Sequence, residues 1–169
     1  QTPPRGSGPV VIDGPPVPVP PEVFARDANG KTTLRAVRLE NPLTLDGRLD
    51  EEAWLQAMPI ADFVQKEPVE GEVPTDRMEV RFVYDDDALY VGARMHAAEP
   101  ASIQAPRGRR DNSAQSEHLL VELDTYLDRR TSYAFGVTAS GIRLDYYHAG
   151  DSESPIDTAS NLASTPVIT

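Results

Sequence analysis

The side chains that could do chemistry fall into a few groups. Asp85-Asp86-Asp87 offers the hard oxygen ligands that calcium takes. The triplet lacks the spaced ligand set of a calcium-binding loop, and Asp readily bonds its own main chain in turns, so a hairpin turn is the preferred reading. Asp145, Asp151, Glu153 and Asp157 surround a predicted loop with His148 and form the better cation candidate, with a solvated acidic end as the preferred alternative. Arg107, Arg109, Arg110, Arg129 and Arg130 can converge on Asp111, Asp124 and Asp128. Such a set makes either an ion-pair network that fixes loops or a polar docking surface for a partner or for sugar hydroxyls. Tyr146 and Tyr147 adjoin, so on a strand one of them faces out and could stack on a sugar or anchor an interface. Tyr90 and Tyr126 are similar candidates.

Reaction chemistry finds little support. His96, His118 and His148 are far apart, and no H-E-x-x-H pattern offers two imidazoles to a hydrolytic metal. A G-x-S-x-G nucleophile elbow and the glycine patterns of nucleotide sites are also missing. We expect no enzyme and no cofactor beyond a possible structural calcium. The net charge of -11 argues against nucleic acid and anionic membrane surfaces, which are bound by Lys and Arg. Only Lys31 and Lys66 of the sixteen basic residues are lysines; the arginine bias suits salt-bridged surfaces, although codon usage is the simpler reading. With no cysteine there is no disulfide scaffold and no thiol nucleophile. No apolar run approaches the ~18 residues of a membrane span. The chain begins at Gln1 rather than Met, and removal of a signal peptide just before Gln1 is the preferred explanation, with trimming of the sequence as the alternative.

The elements that must position these groups are mostly strands. Residues 77–95 read as a β-hairpin: Met78, Val80, Phe82 and Tyr84 fall on one side with Glu79 and Arg81 between them, and Leu89, Val91, Ala93 and Met95 fall on one side after the turn. Upstream, residues 1–22 hold eight of the sixteen prolines and read as an extended tail, in which Pro15, Pro16, Pro18, Pro20 and Pro21 could dock on a partner. Strands are expected at 23–26 and 32–39 about an Asn29-Gly30 turn. A short helix capped by Asp50 follows, with Trp54 and Leu55 inward, and then a weak strand at 60–65. Residues 98–115 read as a long loop with a possible helical turn. Further strands are expected at 117–124, at 131–139 with Tyr133, Phe135 and Val137 alternating, and at 142–146 with Ile142, Leu144 and Tyr146 continuing the core face. About eight strands and one helix predict an all-β, antiparallel β-sandwich over residues 23–169 behind a 1–22 tail.

The run LDGRLDEEAW, then DFVQKEP, EVRFVYDDDALYVGARM, RRD and LLVELDTYLDRR, with a G-x-x-x-D step from Gly141 to Asp145, resembles carbohydrate-binding module family 9-like domains. It is most similar to the version at the N-terminus of large exported bacterial proteins ahead of a predicted outer-membrane barrel. The resemblance spans roughly 23–157 and implies a β-sandwich, export to the periplasm, no enzymatic activity and, in some members, structural calcium. Sugar-binding members grip rings between tryptophans, whereas this chain has only Trp54, in the helix motif that is structural in the family. The family pattern also continues beyond Thr169 with further strands, so an exposed edge is expected to be covered by a partner or the chain's own tail, unless the chain is a fragment.

Together these readings predict an exported accessory module that has lost the sugar site and docks onto a larger protein assembly at the cell envelope. The periplasmic face of a photosynthetic reaction-centre complex would be one example of such a host. The alternative is a carbohydrate-binding module using tyrosines on a glycan.

Overall fold

The computed structural model describes residues 14–19, 22, 24–113, 115–128 and 130–149. Two compact units divide the described chain: one holds the residues up to 64 together with 77–95, the other 65–76 together with 96–149. Each contains one three-stranded sheet.

The first unit is built on the expected hairpin. Strands β2 (Met78–Tyr84) and β3 (Leu89–Met95) pair antiparallel, with Phe82 opposite Val91 and Val80 opposite Ala93. Both faces of this pair are covered. On one, Val80 and Phe82 pack with Phe24, Ile60 and Phe63. On the other, Val83 packs with Leu39, Trp54 and Ala57. Full burial of one such apolar side chain stabilises the fold by roughly 1.5–3 kcal/mol. Helix α1 (Glu52–Gln56) rests on the second face, where Gly92 leaves room for Trp54: a Cβ at Gly92 would lie 2.8 Å from Trp54 Cζ3 and 2.8 Å from Leu49 Cδ2.

Several expectations for this unit need correction. Of 32–39, only β1 (Val37–Arg38) forms a strand, and it pairs with β2 in parallel rather than antiparallel. The described part of 23–26 is not a strand, and 60–65 contributes only isolated bridge positions, at Ile60, which pairs with Val80, and at Val64. Phe24 and Ile60 are nevertheless core residues. Alternation marks which side chains turn inward, whereas a ladder also needs a neighbouring strand in register. Asp50 does not cap α1; Glu51 occupies that position, and its Oε1 accepts the Thr44 N–H at 3.1 Å instead. Leu55 is 75% exposed, as its place one residue round from buried Trp54 on a short helix requires.

In the second unit β4 (His118–Leu123), β5 (Thr131–Thr138) and β6 (Arg143–Ala149) form an antiparallel meander. A 3-10 turn at Pro100–Ser102 is the only helical segment among the described residues between β3 and β4. β6 starts one residue later than expected and continues to Ala149. The expected inner face is reversed on β5. Ala134 and Thr138 are buried, together with Leu144 and His148 of β6. Leu144 stands opposite Gly136, not on the Phe135 face, because the β5–β6 register sets Phe135 against Asp145. Hydrophobic size favours the aromatic residues of β5 as the inner set, but Ala134 and Thr138 line the close-packed side.

A candidate docking face on the second sheet

The reversed register places a row of large apolar residues on the open side of the sheet. Three cross-strand rows build it: Leu119–Val137–Arg143, Val121–Phe135–Asp145 and Leu123–Tyr133–Tyr147. Phe135 is 51% exposed and Tyr147 54%; Tyr133 and Val137 are exposed as well, and the three β4 residues are half-buried. The Tyr133 and Tyr147 rings form a tilted pair with centroids 4.9 Å apart. Scattered apolar residues are ordinary on a surface, but contiguous rows mark interaction sites. Gly136 lets β4 and β5 approach: a Cβ there would collide with the Leu119 carbonyl and lie 2.8 Å from Leu120 Cδ1.

A polar clamp closes one edge of this face. Asp111 sits at φ 61, a conformation Asp tolerates better than most residues. Its N–H donates to the Arg143 carbonyl at 3.1 Å, and its Oδ1 accepts the Asp145 N–H at 3.0 Å. One residue thus occupies two open positions on the outer edge of β6, where a foreign strand could otherwise pair. Arg110 lies across it, donating from Nε to Asp145 Oδ1 at 2.8 Å and also from Nη2, with Asp111 Oδ2 at 3.6 Å from its Nε. Hydrogen bonding to Asp145, then its charge, raises the Arg110 guanidinium above its ordinary pKa.

The predicted site residues separate as follows. Arg110, Asp111 and Asp145 come together, and Tyr147 lies on the same face. Tyr146 points to the other side, half-buried, with its hydroxyl donating to the Asp111 carbonyl at 3.4 Å. Arg107 and Arg109 are exposed and make no ion pair among the described residues. Asp128 holds its own turn through the Arg130 and Thr131 N–H groups, both at 2.8 Å, and Asp124 Oδ1 accepts the Asp128 N–H at 3.2 Å. Those backbone donors, Thr131 first, hold the Asp128 carboxyl below the usual carboxylate value. Arg129, Asp151, Glu153 and Asp157 lie outside the described residues, as do Pro20 and Pro21. Asp145 is occupied by Arg110, and among the described residues no group of three or more His, Cys, Asp or Glu could hold a metal ion. Pro15, Pro16 and Pro18 lie in a stretch with neither helix nor strand.

The Asp triplet is a turn. Asp85 Oδ1 accepts the N–H groups of Asp87 and Ala88 at 2.9 and 2.8 Å, while Oδ2 accepts the Tyr90 hydroxyl at 2.8 Å. The Asp87 N–H first, then Tyr90 and Ala88, lower the Asp85 pKa, and Asp85 in turn raises that of Tyr90. Asp86 pairs with Arg38 at 2.6 Å, and the Arg38 guanidinium lies 5.9 Å from the Tyr84 ring centroid.

Comparison of the chain with models of protein families, with curated proteins and with solved structures finds no match. Among the described residues no helix is long and apolar enough to cross a membrane.

Proposed function

We propose that the chain is a non-catalytic, exported β-sandwich module that serves as a structural accessory subunit of a larger assembly at the cell envelope. The observation that carries this reading is the row of exposed Tyr133, Phe135, Val137 and Tyr147 on one sheet face. Aromatic residues held on a rigid sheet are effective interface anchors, because they bury much area at little entropic cost. The polar edge made by Arg110, Asp111 and Asp145 supplies the kind of rim that surrounds an apolar interface core. The described prolines Pro15, Pro16 and Pro18 lie outside helix and strand and offer a second point of contact.

Purification of the protein from its own cells in mild detergent tests this. It should elute in a large particle with other subunits, and removal of residues 1–22 should weaken that association. A free monomer bringing down nothing would overturn the reading.

One observation favours a second reading, a carbohydrate-binding module. The paired Tyr133 and Tyr147 rings, with Asp145 and Arg143 in neighbouring rows, could stack on a sugar ring and bond its hydroxyls. Calorimetry against plant and bacterial glycans at millimolar concentration decides it: heat lost in Tyr147→Ala supports sugar binding, and silence across the panel removes it.

A further inference from the structure

A second feature lies in the first unit and is independent of the docking face. The turn at 47–50 and the end of β3 enclose an open cleft of about 590 Å³, lined by Arg48, Leu49 and Asp50 on one side and Ala93, Arg94 and Met95 on the other. Both arginines are exposed, and neither has an ion-pair partner among the described residues. Arg26, Arg38, Arg77, Arg81 and Arg110 each hold a carboxylate. Arg48 and Arg94 instead line one cleft.

The sheet explains how Arg94 stays uncommitted. Its direct cross-strand partner is Glu79, which should pair with it. Glu79 instead holds Arg77 through Oε1, and Arg81 through Oε2 at 3.0 Å. Arg48 is positioned by its backbone: Gly47 takes φ 84, and the Arg48 N–H donates to Asp46 Oδ1 at 2.9 Å. Leu49 is seated over Gly92. The cleft is therefore framed before any ligand arrives, which lowers the entropic cost of binding.

We propose that this cleft binds an organic carboxylate, gripped by Arg48 and Arg94 with its carbon body against Leu49. Guanidinium and carboxylate match as planar, bidentate partners. Leu49, half-buried over Gly92, offers the apolar contact that distinguishes such a ligand from a bare inorganic anion. Asp50 on the rim repels excess negative charge and accepts a hydrogen bond from a hydroxyl on the ligand.

Lactate, a hydroxylated monocarboxylate, is the probe. It is titrated at constant ionic strength into the intact protein while the arginine Nε–Hε signals are followed by NMR. Arg48 and Arg94 should shift saturably, and the exposed controls Arg35 and Arg143 should not. Arg48→Gln and Arg94→Gln should each raise the Kd at least tenfold with the backbone spectrum otherwise unchanged. Non-saturating shifts, equal shifts at all four arginines, or unaltered affinity in either variant would overturn the site. Equally tight binding of inorganic phosphate would overturn the carboxylate assignment.

Discussion

At the scale of single residues, carboxylates that hold turns do much of the polar work. Asp27 Oδ1 accepts the N–H groups of Asn29 and Lys31 at 2.8 and 2.9 Å, and Asp85 and Asp128 act in the same way at their own turns. For Asp27 the backbone hydrogen bond from Lys31 is the main cause of a lowered pKa, and for all three the charged form is favoured in the fold. The sign follows: a group whose pKa is lower folded than unfolded contributes stability that is present above the ordinary value of 3.8. That stability is lost as the pH falls through the depressed folded value. Thermal melts from pH 7 to pH 2 should therefore show a steep acid loss that flattens in a triple Asp→Asn variant at 27, 85 and 128. An unchanged slope would place the acid sensitivity elsewhere. These turns were legible in the sequence because the donors lie within a few residues of each Asp. Asp111 was not, since its partners at Arg143 and Asp145 lie more than thirty residues away. Asp111→Ala should reduce hydrogen-exchange protection of the Asp145 amide about fivefold, the equivalent of roughly 1 kcal/mol for one hydrogen bond.

Elements are positioned here by glycines as much as by large residues. Gly92→Ala would press a methyl group into Leu49 and the buried Trp54 ring, at a cost of roughly 1–3 kcal/mol in urea denaturation. Gly136→Ala should cost at least as much, because the obstacle is a backbone carbonyl of β4 rather than a side chain that can turn aside. Buried His148 has an Nε2 without a hydrogen-bond partner among the described residues, so His148→Leu should be neutral or stabilise by up to about 1 kcal/mol. The central hairpin was readable because Met78, Val80 and Phe82 alternate cleanly and the Asp triplet marks the turn. The inner face of β5 was misread for a definite reason. Alternation separates Phe135 and Val137 from Ala134 and Thr138, but it does not say which set faces in. Hydrophobic size favoured the first set; the β5–β6 register places Leu144 with the second. Likewise Thr32 and Thr33 are buried without becoming a strand, since strand formation depends on a partner that local pattern does not name.

The whole molecule is a strongly acidic chain whose described part consists of two units, each with its own sheet. The proposed kinship with family 9-like modules rests on motif order in the sequence alone. The chain's single tryptophan, Trp54, is buried, and the exposed aromatic residues among those described are Tyr84, Tyr126 and, on the open face of the second sheet, Tyr133, Phe135 and Tyr147. The central claim is that this face is an interface in the cell. The most direct measurement installs a photo-crosslinking phenylalanine at position 135, with exposed Leu55 on α1 as the control position, and irradiates intact cells. The docking account predicts a discrete, high-mass adduct from position 135 and none from position 55. Absence of an adduct at 135, or the same adducts from both positions, would contradict it.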